Sequence, residues 1–106
     1  DQFNTPTLID DLVKVILKII DKDISGLYHA TGKTCLNRYQ FAILLAKRFS
    51  YDVSLIHSVT KLEKKQNAPR PISTCLDSIK LENTLNFSFS DISAGIDSIF
   101  NKSKIN

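Results

Sequence analysis

The feature that most restricts the fold is a run of apolar residues at helical spacing near the start of the chain. Large aliphatic residues recur every three or four positions, as on one face of a helix: Ile9, Leu12, Val13, Ile16, Leu17 and Ile20. Thr7 precedes the run and Asp10 follows three residues later, which is the spacing of a capping box. The pattern predicts a helix capped by Thr7 that stops at Ser25 and Gly26.

A second helix is the best specified one in the chain. Asn37 is a favoured N-cap residue, and Gln40 stands at the third helical position, where its side chain can return a hydrogen bond to the cap. Leu36 and Phe41 flank the cap as a hydrophobic staple. We therefore predict that this helix begins at Asn37.

Two shorter helices are predicted in the last third of the chain. Asp77 is the expected cap of a helix that runs to Leu85, and Ser90 is the expected cap of the last one. The tail from Asn101 is expected to fray, as chain ends commonly do.

Extended segments are few and short. Residues 27–30 and 53–60 are strand candidates, and residues 61–71 form a polar loop in which Pro69 and Pro71 enclose Arg70. The prediction is an α+β fold that is mainly helical, with four helices and two or three short strands in one domain. These strands are too few for a sheet of their own, so one edge of the unit is expected to need a partner.

Charge and composition exclude several classes of protein. The net charge is +3, from 14 Lys and Arg against 11 Asp and Glu, which is too small and dispersed for nucleic-acid binding. A local basic cluster is compatible with an anionic small molecule or with a solvated surface: Lys61, Lys64, Lys65 and Arg70. Lys14 and Lys18 interrupt the longest apolar stretch, so no membrane span is predicted.

The two cysteines, Cys35 and Cys75, lack the spacing of a zinc site or of a disulfide-rich secreted domain. We predict that both are free thiols in a reducing cytoplasm. The sequence contains no methionine and opens on Asp1, so we also expect it to be part of a longer protein.

Catalytic and cofactor motifs are missing from the sequence. Its three glycines, Gly26, Gly32 and Gly95, do not have the spacing of a dinucleotide or phosphate loop. Hydride chemistry on a ketone needs a proton donor, such as a tyrosine with a lysine four residues later. None of the three tyrosines has a lysine at that position. His29 is predicted to be a half-buried strand residue. No catalytic, cofactor-binding or metal-binding residue is expected within this chain.

Four segments, taken in order, resemble the C-terminal part of the dTDP-4-dehydrorhamnose reductase family of extended short-chain dehydrogenases. They are D-Q-F-N-T-P-T at 1–7, G-L-Y-H-A-T-G at 26–32, N-R-Y-Q-F-A at 37–42 and A-P-R-P-I-S-T-C-L-D at 68–77. They span nearly the whole chain. Two positions depart from the family pattern: Asn4 replaces a glycine and Ser73 replaces an asparagine.

The resemblance implies that this chain forms the wall of a substrate cleft. The rest of the protein would then be an N-terminal Rossmann domain that binds NADPH or NADH and carries the Tyr/Lys pair. Arg70 matches a family loop arginine that faces the substrate phosphates, and a guanidinium suits a diphosphate. Gln2, Lys65 and Gln66 are further candidates for substrate binding. Arg38 is either a surface residue or part of a subunit contact, and a homodimer stays open.

The implied function is reduction of a 4-keto sugar nucleotide in deoxysugar (dTDP-rhamnose) biosynthesis. Three alternatives stay open. One is a regulatory subunit similar to the β subunit of methionine adenosyltransferase, and another is an epimerase or dehydratase for a different sugar nucleotide. The last is a stand-alone helical interaction module. In the reductase interpretation the parent chain is an enzyme, whereas these 106 residues alone are expected to be inactive.

Overall fold

The computed structural model describes residues 2–57 and 71–105. Its elements follow in the order β1 (Phe3–Asn4), α1 (Ile9–Lys22), β2 (Leu36–Asn37), α2 (Arg38–Arg48), a 3-10 turn (Val53–Leu55), α3 (Ile79–Leu85) and α4 (Ile92–Ile105). The predicted class, a mainly helical α+β fold with four helices, is confirmed for this part of the chain. The predicted loop at 61–71 lies outside the described residues except for Pro71.

Helix α1 starts without the predicted side-chain cap. Leu8 is the N-cap residue, and its carbonyl accepts hydrogen bonds from the backbone N–H groups of Asp11 and Leu12. Thr7 points elsewhere, because its hydroxyl donates to the Thr5 carbonyl and accepts from the backbone N–H of Gly32. The helix ends at Lys22, before the predicted Ser25, since Asp23 takes a left-handed conformation that closes the last turn.

The apolar stripe predicted for α1 is real, but most of it faces away from the core of the described chain. Exposed fractions range from 49% to 73% for five of its members: Ile9, Val13, Ile16, Leu17 and Ile20. The inward side instead carries Val15, with Leu12 and Ile19 packed beside it. Helix α1 is therefore apolar on both sides, a property of helices that are covered on both sides in a larger protein.

The core lies between α1 and α3. Val15 from α1 meets Leu81 and Leu85 from α3, and Phe89 from the segment after α3 completes the cluster. Each of these four side chains is at most 2% exposed, so they form the best-buried part of the described chain. Burial of such side chains is the main favourable contribution to folding.

The predicted capping box at the start of α2 is confirmed in both directions. The Asn37 side-chain oxygen accepts from the Gln40 backbone N–H at 2.8 Å, and the Gln40 side chain accepts from the Asn37 backbone N–H at 3.0 Å. Two backbone donors that the helix leaves unsatisfied are thereby paired.

Helix α2 packs against α4 through an aromatic and charged contact near its C-terminal end. Arg48 donates to an Asp97 carboxylate oxygen at 2.7 Å, and its guanidinium lies 3.9 Å from the centre of the Phe100 ring. Such exposed contacts contribute about 0–1 kcal/mol each. They orient α4 more than they stabilise it.

The predicted starts of the last two helices need correction. Asp77 does accept a hydrogen bond from the Ile79 backbone N–H at 3.2 Å, but Ser78 lies between it and α3. The N-terminal side-chain cap of α4 is Asp91, not Ser90, because its carboxylate accepts from the Ala94 backbone N–H at 2.8 Å.

The prediction that the tail frays from Asn101 is wrong, because α4 continues to Ile105. Lys102 forms an ion pair with Asp10 of α1, and the Ser103 hydroxyl donates to the Phe100 carbonyl at 2.7 Å. The contact with α1 supplies a tertiary tie that the sequence pattern did not indicate.

The predicted strand at 53–60 is wrong over its first part, since Val53–Leu55 forms a 3-10 turn. Asp52 starts this turn by accepting hydrogen bonds from the Ser54 hydroxyl at 2.7 Å and the Ser54 backbone N–H at 2.9 Å. Those two bonds also hold the pKa of Asp52 below its ordinary value, because both favour the charged carboxylate. Residues 58–60 lie outside the described range.

Residues 27–30 pair with no strand of the described chain, so the predicted strand is absent there. Tyr28 and Ala30 pack against the core, whereas Leu27 is 83% exposed and His29 is exposed. This alternation is the pattern of an extended segment with one side covered. Leu27 accepts from the Lys80 ammonium through its carbonyl at 3.1 Å.

Candidate functional site

A small sheet places the first residues of the chain beside the segment that follows the predicted loop. β1 pairs antiparallel with β2, so that Phe3 lies opposite Asn37 and Asn4 opposite Leu36. On its other side Phe3 forms a parallel bridge with Ser73. Segment 71–75 and β2 thus flank β1, although at least 31 residues lie between β1 and either of them along the chain.

Gln2, one of the predicted substrate-binding residues, lies half-buried at the edge of this sheet. Its neighbour Phe3 donates its backbone N–H to the Ile72 carbonyl at 2.7 Å and accepts from the Thr74 backbone N–H at 2.9 Å. Gln2 is therefore positioned next to the segment that continues from the predicted loop. The other three candidates lie outside the described residues: Lys65, Gln66 and Arg70.

Ser73 and Thr74 add polar groups to this edge. Ser73, which replaces the asparagine of the family pattern, accepts from the Cys75 backbone N–H through its hydroxyl at 3.4 Å. The Thr74 hydroxyl donates to the Phe3 carbonyl at 3.3 Å. Both side chains are exposed, so the edge next to Gln2 is polar and accessible.

The prediction of two free thiols is wrong, because Cys35 and Cys75 form a disulfide with a Cα–Cα distance of 5.7 Å. Cys35 directly precedes β2, and Cys75 lies two residues beyond the bridge at Ser73. Both therefore flank the end of β1, where the chain turns away at Thr5 and Pro6. Sequence spacing gave no sign of this, since the two cysteines are 40 residues apart.

Gly32 is required by a close backbone approach. A Cβ added there would lie 2.1 Å from the Pro6 carbonyl oxygen, and its backbone N–H already donates to the Thr7 hydroxyl at 3.1 Å. Gly32 is thus used for packing and has no free N–H for a pyrophosphate. Gly26 lies in an exposed turn and Gly95 within α4, so the glycines of this chain do not fit a dinucleotide.

Sequence reasoning missed a buried carboxylate that links α1 to the segment before α4. Asp11 is 6% exposed, and one of its oxygens accepts from the Ser90 backbone N–H at 2.8 Å. Its position four residues before Val15 places it on the inward face of α1, which was the available signal.

A second buried polar contact fixes the segment after residues 27–30. The Ser78 hydroxyl accepts from the Thr31 backbone N–H at 2.7 Å and donates to the Thr31 carbonyl at 3.1 Å. Ser78 is 7% exposed, and a buried hydroxyl needs such partners. Residues 27–31 are consequently held in place without a paired strand.

The two histidines lie at the surface of the described chain. His29 and His57 are both exposed, and His29 is not in a strand, contrary to the prediction. Within 2–57 and 71–105 no group of three or more His, Cys, Asp or Glu side chains is arranged to hold a metal ion. No helix in the same ranges has the length and apolar character needed to cross a bilayer.

Comparison with known proteins identifies the chain by sequence. The family model described as "RmlD substrate binding domain" matches residues 1–105. A dTDP-4-dehydrorhamnose reductase from Aggregatibacter actinomycetemcomitans is 31% identical over 102 residues, which cover 86% of this chain and 35% of that protein. Methionine adenosyltransferase 2 subunit beta from Xenopus laevis is 34% identical over 82 residues, or 73% of this chain and 24% of that protein.

Solved structures agree in fold. A dTDP-4-dehydrorhamnose reductase from Bacillus anthracis, in complex with NADP, superposes with a TM-score of 0.88 at 22% identity, over 95% of this chain and 36% of that one. An orthologue from Clostridium acetobutylicum gives a TM-score of 0.88 at 28% identity, over 98% and 37%. The chain thus spans about a third of the length of these reductases. The family model, the curated reductase and the shared fold together establish that the chain belongs to the RmlD substrate-binding domain family.

Proposed function

We propose that the protein carrying this chain is an NAD(P)H-dependent reductase of a 4-keto sugar nucleotide, with dTDP-4-keto-6-deoxy-L-mannose as the substrate. In this role the enzyme acts in the cytoplasm in deoxysugar (dTDP-rhamnose) biosynthesis. The observation that carries the proposal is the match of the family model over residues 1–105. These residues bind and orient the substrate, and hydride transfer belongs to the remainder of the protein.

The geometry of the small sheet supports the proposed substrate contacts. Gln2 lies beside segment 71–75, which follows Arg70 directly in the chain. A guanidinium offers a rigid fork of donors that suits a diphosphate, and an amide can bond to the polar groups of a sugar. Arg70 is therefore assigned to the diphosphate, Gln2 to a polar group of the substrate, and Lys65 and Gln66 to supporting contacts.

The proposed partner of this unit is a Rossmann domain of the same protein that binds NADPH or NADH. Two surfaces support it: the outward apolar face of α1, and the extended segment 27–30, which pairs with no strand in the described part of the chain. An extended segment without a neighbour offers its backbone groups to another strand. The solved relative with NADP is about three times as long as this chain, which leaves room for such a domain.

The experiment is a turnover assay of the native polypeptide with NADPH and dTDP-4-keto-6-deoxy-L-mannose, comparing Arg70→Ala with Arg38→Ala. We expect Arg70→Ala to raise KM about 10- to 100-fold, since charged hydrogen bonds contribute about 1.5–3 kcal/mol. Arg38→Ala removes the same charge from an exposed position at the start of α2, and this substitution should leave KM within about twofold.

Two results would contradict the proposal. Absence of turnover by a folded native protein would remove the reductase assignment, and equal effects of the two substitutions would remove Arg70 from the site. The 106 residues alone are expected to be inactive, because their glycines do not fit a dinucleotide.

A second candidate function is regulation, which the 34% identity to the methionine adenosyltransferase subunit favours. In that case the same surfaces serve for binding to a catalytic partner. A folded native protein that shows no turnover but changes the kinetics of a methionine adenosyltransferase would support this candidate over the reductase.

A further inference from the structure

The Cys35–Cys75 disulfide crosses the small sheet at the point where its central strand ends. β2 and segment 71–75 lie on opposite sides of β1, and the bond joins them just past Asn4. The disulfide therefore fixes the position of segment 71–75 against the residues that follow Gln2. It is the covalent tie between these two parts of the described chain.

Within residues 2–57 and 71–105, few other contacts hold segment 71–75 in place. Two backbone hydrogen bonds and one hydroxyl bond link it to Phe3. Pro71, Ile72 and Thr74 are exposed, with Ile72 at 63%, so little apolar burial helps to retain it. Solvent-exposed hydrogen bonds of this kind open readily in native proteins. Beyond the segment the chain is anchored separately, since Leu76 and Ser78 are hydrogen-bonded to Thr31. The disulfide therefore matters for residues 71–75 themselves.

The bond is accessible to reductants. Cys35 is exposed and Cys75 is half-buried, and the sequence contains no other cysteine with which either thiol could exchange. Exposed disulfides are the ones that reductants reach and that serve regulation. In a reducing compartment, disulfides of this sort are transient or redox-sensing. The chain thus has two defined states, one with the bond and one with two thiols.

We propose that the Cys35–Cys75 bond is a redox switch for substrate affinity, in which the disulfide form holds segment 71–75 against β1 and reduction releases it. The proposal rests on the proposed function for its ligand. Release of the segment removes the wall next to Gln2, so the reduced form binds the sugar nucleotide more weakly.

The reductant is a dithiol. One of its thiolates attacks the sulfur of Cys35, the more exposed of the two residues. The bond between the two cysteines breaks, and Cys75 leaves as a thiolate that takes up a proton. The second thiol of the reductant then attacks the mixed disulfide. Cys35 is released as a thiol and the reductant becomes a cyclic disulfide. Two electrons and two protons pass from the reductant to the protein.

The test is hydrogen exchange of the native polypeptide with and without dithiothreitol, with Cys35→Ser/Cys75→Ser as a variant that cannot form the bond. We expect the backbone amides of Phe3 and Thr74 to exchange about tenfold faster after reduction, as local opening becomes easier. The Phe89 amide, which donates to Glu82, is the internal control and should not change. The double variant should exchange like the reduced protein in either condition.

A substrate titration completes the test, with KM expected to rise about tenfold on reduction in the native protein and to stay at the raised value in the double variant. Unchanged exchange at Phe3 and Thr74, or faster exchange at every amide including Phe89, would overturn the switch. So would an unchanged KM in a protein that turns over. If no form turns over, the proposed function fails, and the exchange result still decides whether the bond controls segment 71–75.

Discussion

Gly32 lies against the turn that precedes α1, where the Pro6 carbonyl takes the space that a side chain would need. Gly95 lies within α4 and is also buried, yet apart from its chain neighbours and the nearby backbone of its own helix, no heavy atom of the described chain comes within 4 Å of a Cβ built on it. The two positions have the same residue and opposite requirements. Position 32 must lack a side chain, whereas a small side chain at position 95 is expected to increase stability.

We expect Gly32→Ala to lower the free energy of unfolding by about 2–4 kcal/mol, because either Pro6 or the Gly32 backbone must move. The matched substitution Gly95→Ala should raise it by about 0.5–1 kcal/mol, because alanine restricts the unfolded chain and favours the helix. Urea denaturation of both variants measures the difference. A Gly32→Ala protein as stable as the parent would contradict the close approach at Pro6.

At the scale of elements, the start of α2 shows how far local sequence determines structure. Asn37 belongs to β2 and caps α2 at once, so the capping box fixes the junction between strand and helix. All the partners of this box lie within four residues, and each is typical of its position. That is why the sequence predicted the cap and start of this helix correctly, although it did not predict the strand before them.

We expect Asn37→Ala to lower the free energy of unfolding by about 1 kcal/mol, because the Gln40 backbone N–H loses its acceptor. Asn83→Ala is the matched control, since Asn83 is exposed in the middle of α3 and alanine favours a helix there. Thermal denaturation followed by circular dichroism compares the two. Similar losses in both variants would argue against the capping role.

Elements whose position depends on distant residues were predicted less well. Thr7 has a suitable side chain for a cap, but Gly32, 25 residues away, takes up its hydroxyl. The disulfide likewise depends on the way β1 brings two remote segments together. In the candidate site, Gln2 could be assigned from the family motif, whereas its position beside Ile72 required the fold. Local motifs thus predict helix starts, and long-range pairings escape them.

At the scale of the whole molecule, α1 has more apolar surface than the described chain can cover. A periodicity argument identifies an apolar face, but it cannot say which face is inward when both sides are apolar. Asp11 on the inner face and Leu17 on the outer one are the clearest departures from a simple amphipathic helix. The outer face is accounted for if the proposed Rossmann domain covers it.

We therefore expect Leu17→Lys to lower the free energy of unfolding of the native polypeptide by about 2–3 kcal/mol, because a buried contact is replaced by a charge. Leu55→Lys is the matched control: Leu55 is 76% exposed in the 3-10 turn, and its change should cost less than about 0.5 kcal/mol. Guanidinium denaturation gives both values. An equally small cost at Leu17 would mean that nothing covers this face in the native protein.

If the proposed Rossmann domain covers its outer face, α1 also affects how the native protein melts. A helix that packs one face against each of two domains cannot unfold with one domain without exposing apolar surface of the other. Both domains would then unfold together and give one calorimetric transition, although the domains of a multidomain protein commonly unfold separately. The thermal behaviour of the entire polypeptide would thus be set by fourteen residues near the start of this chain.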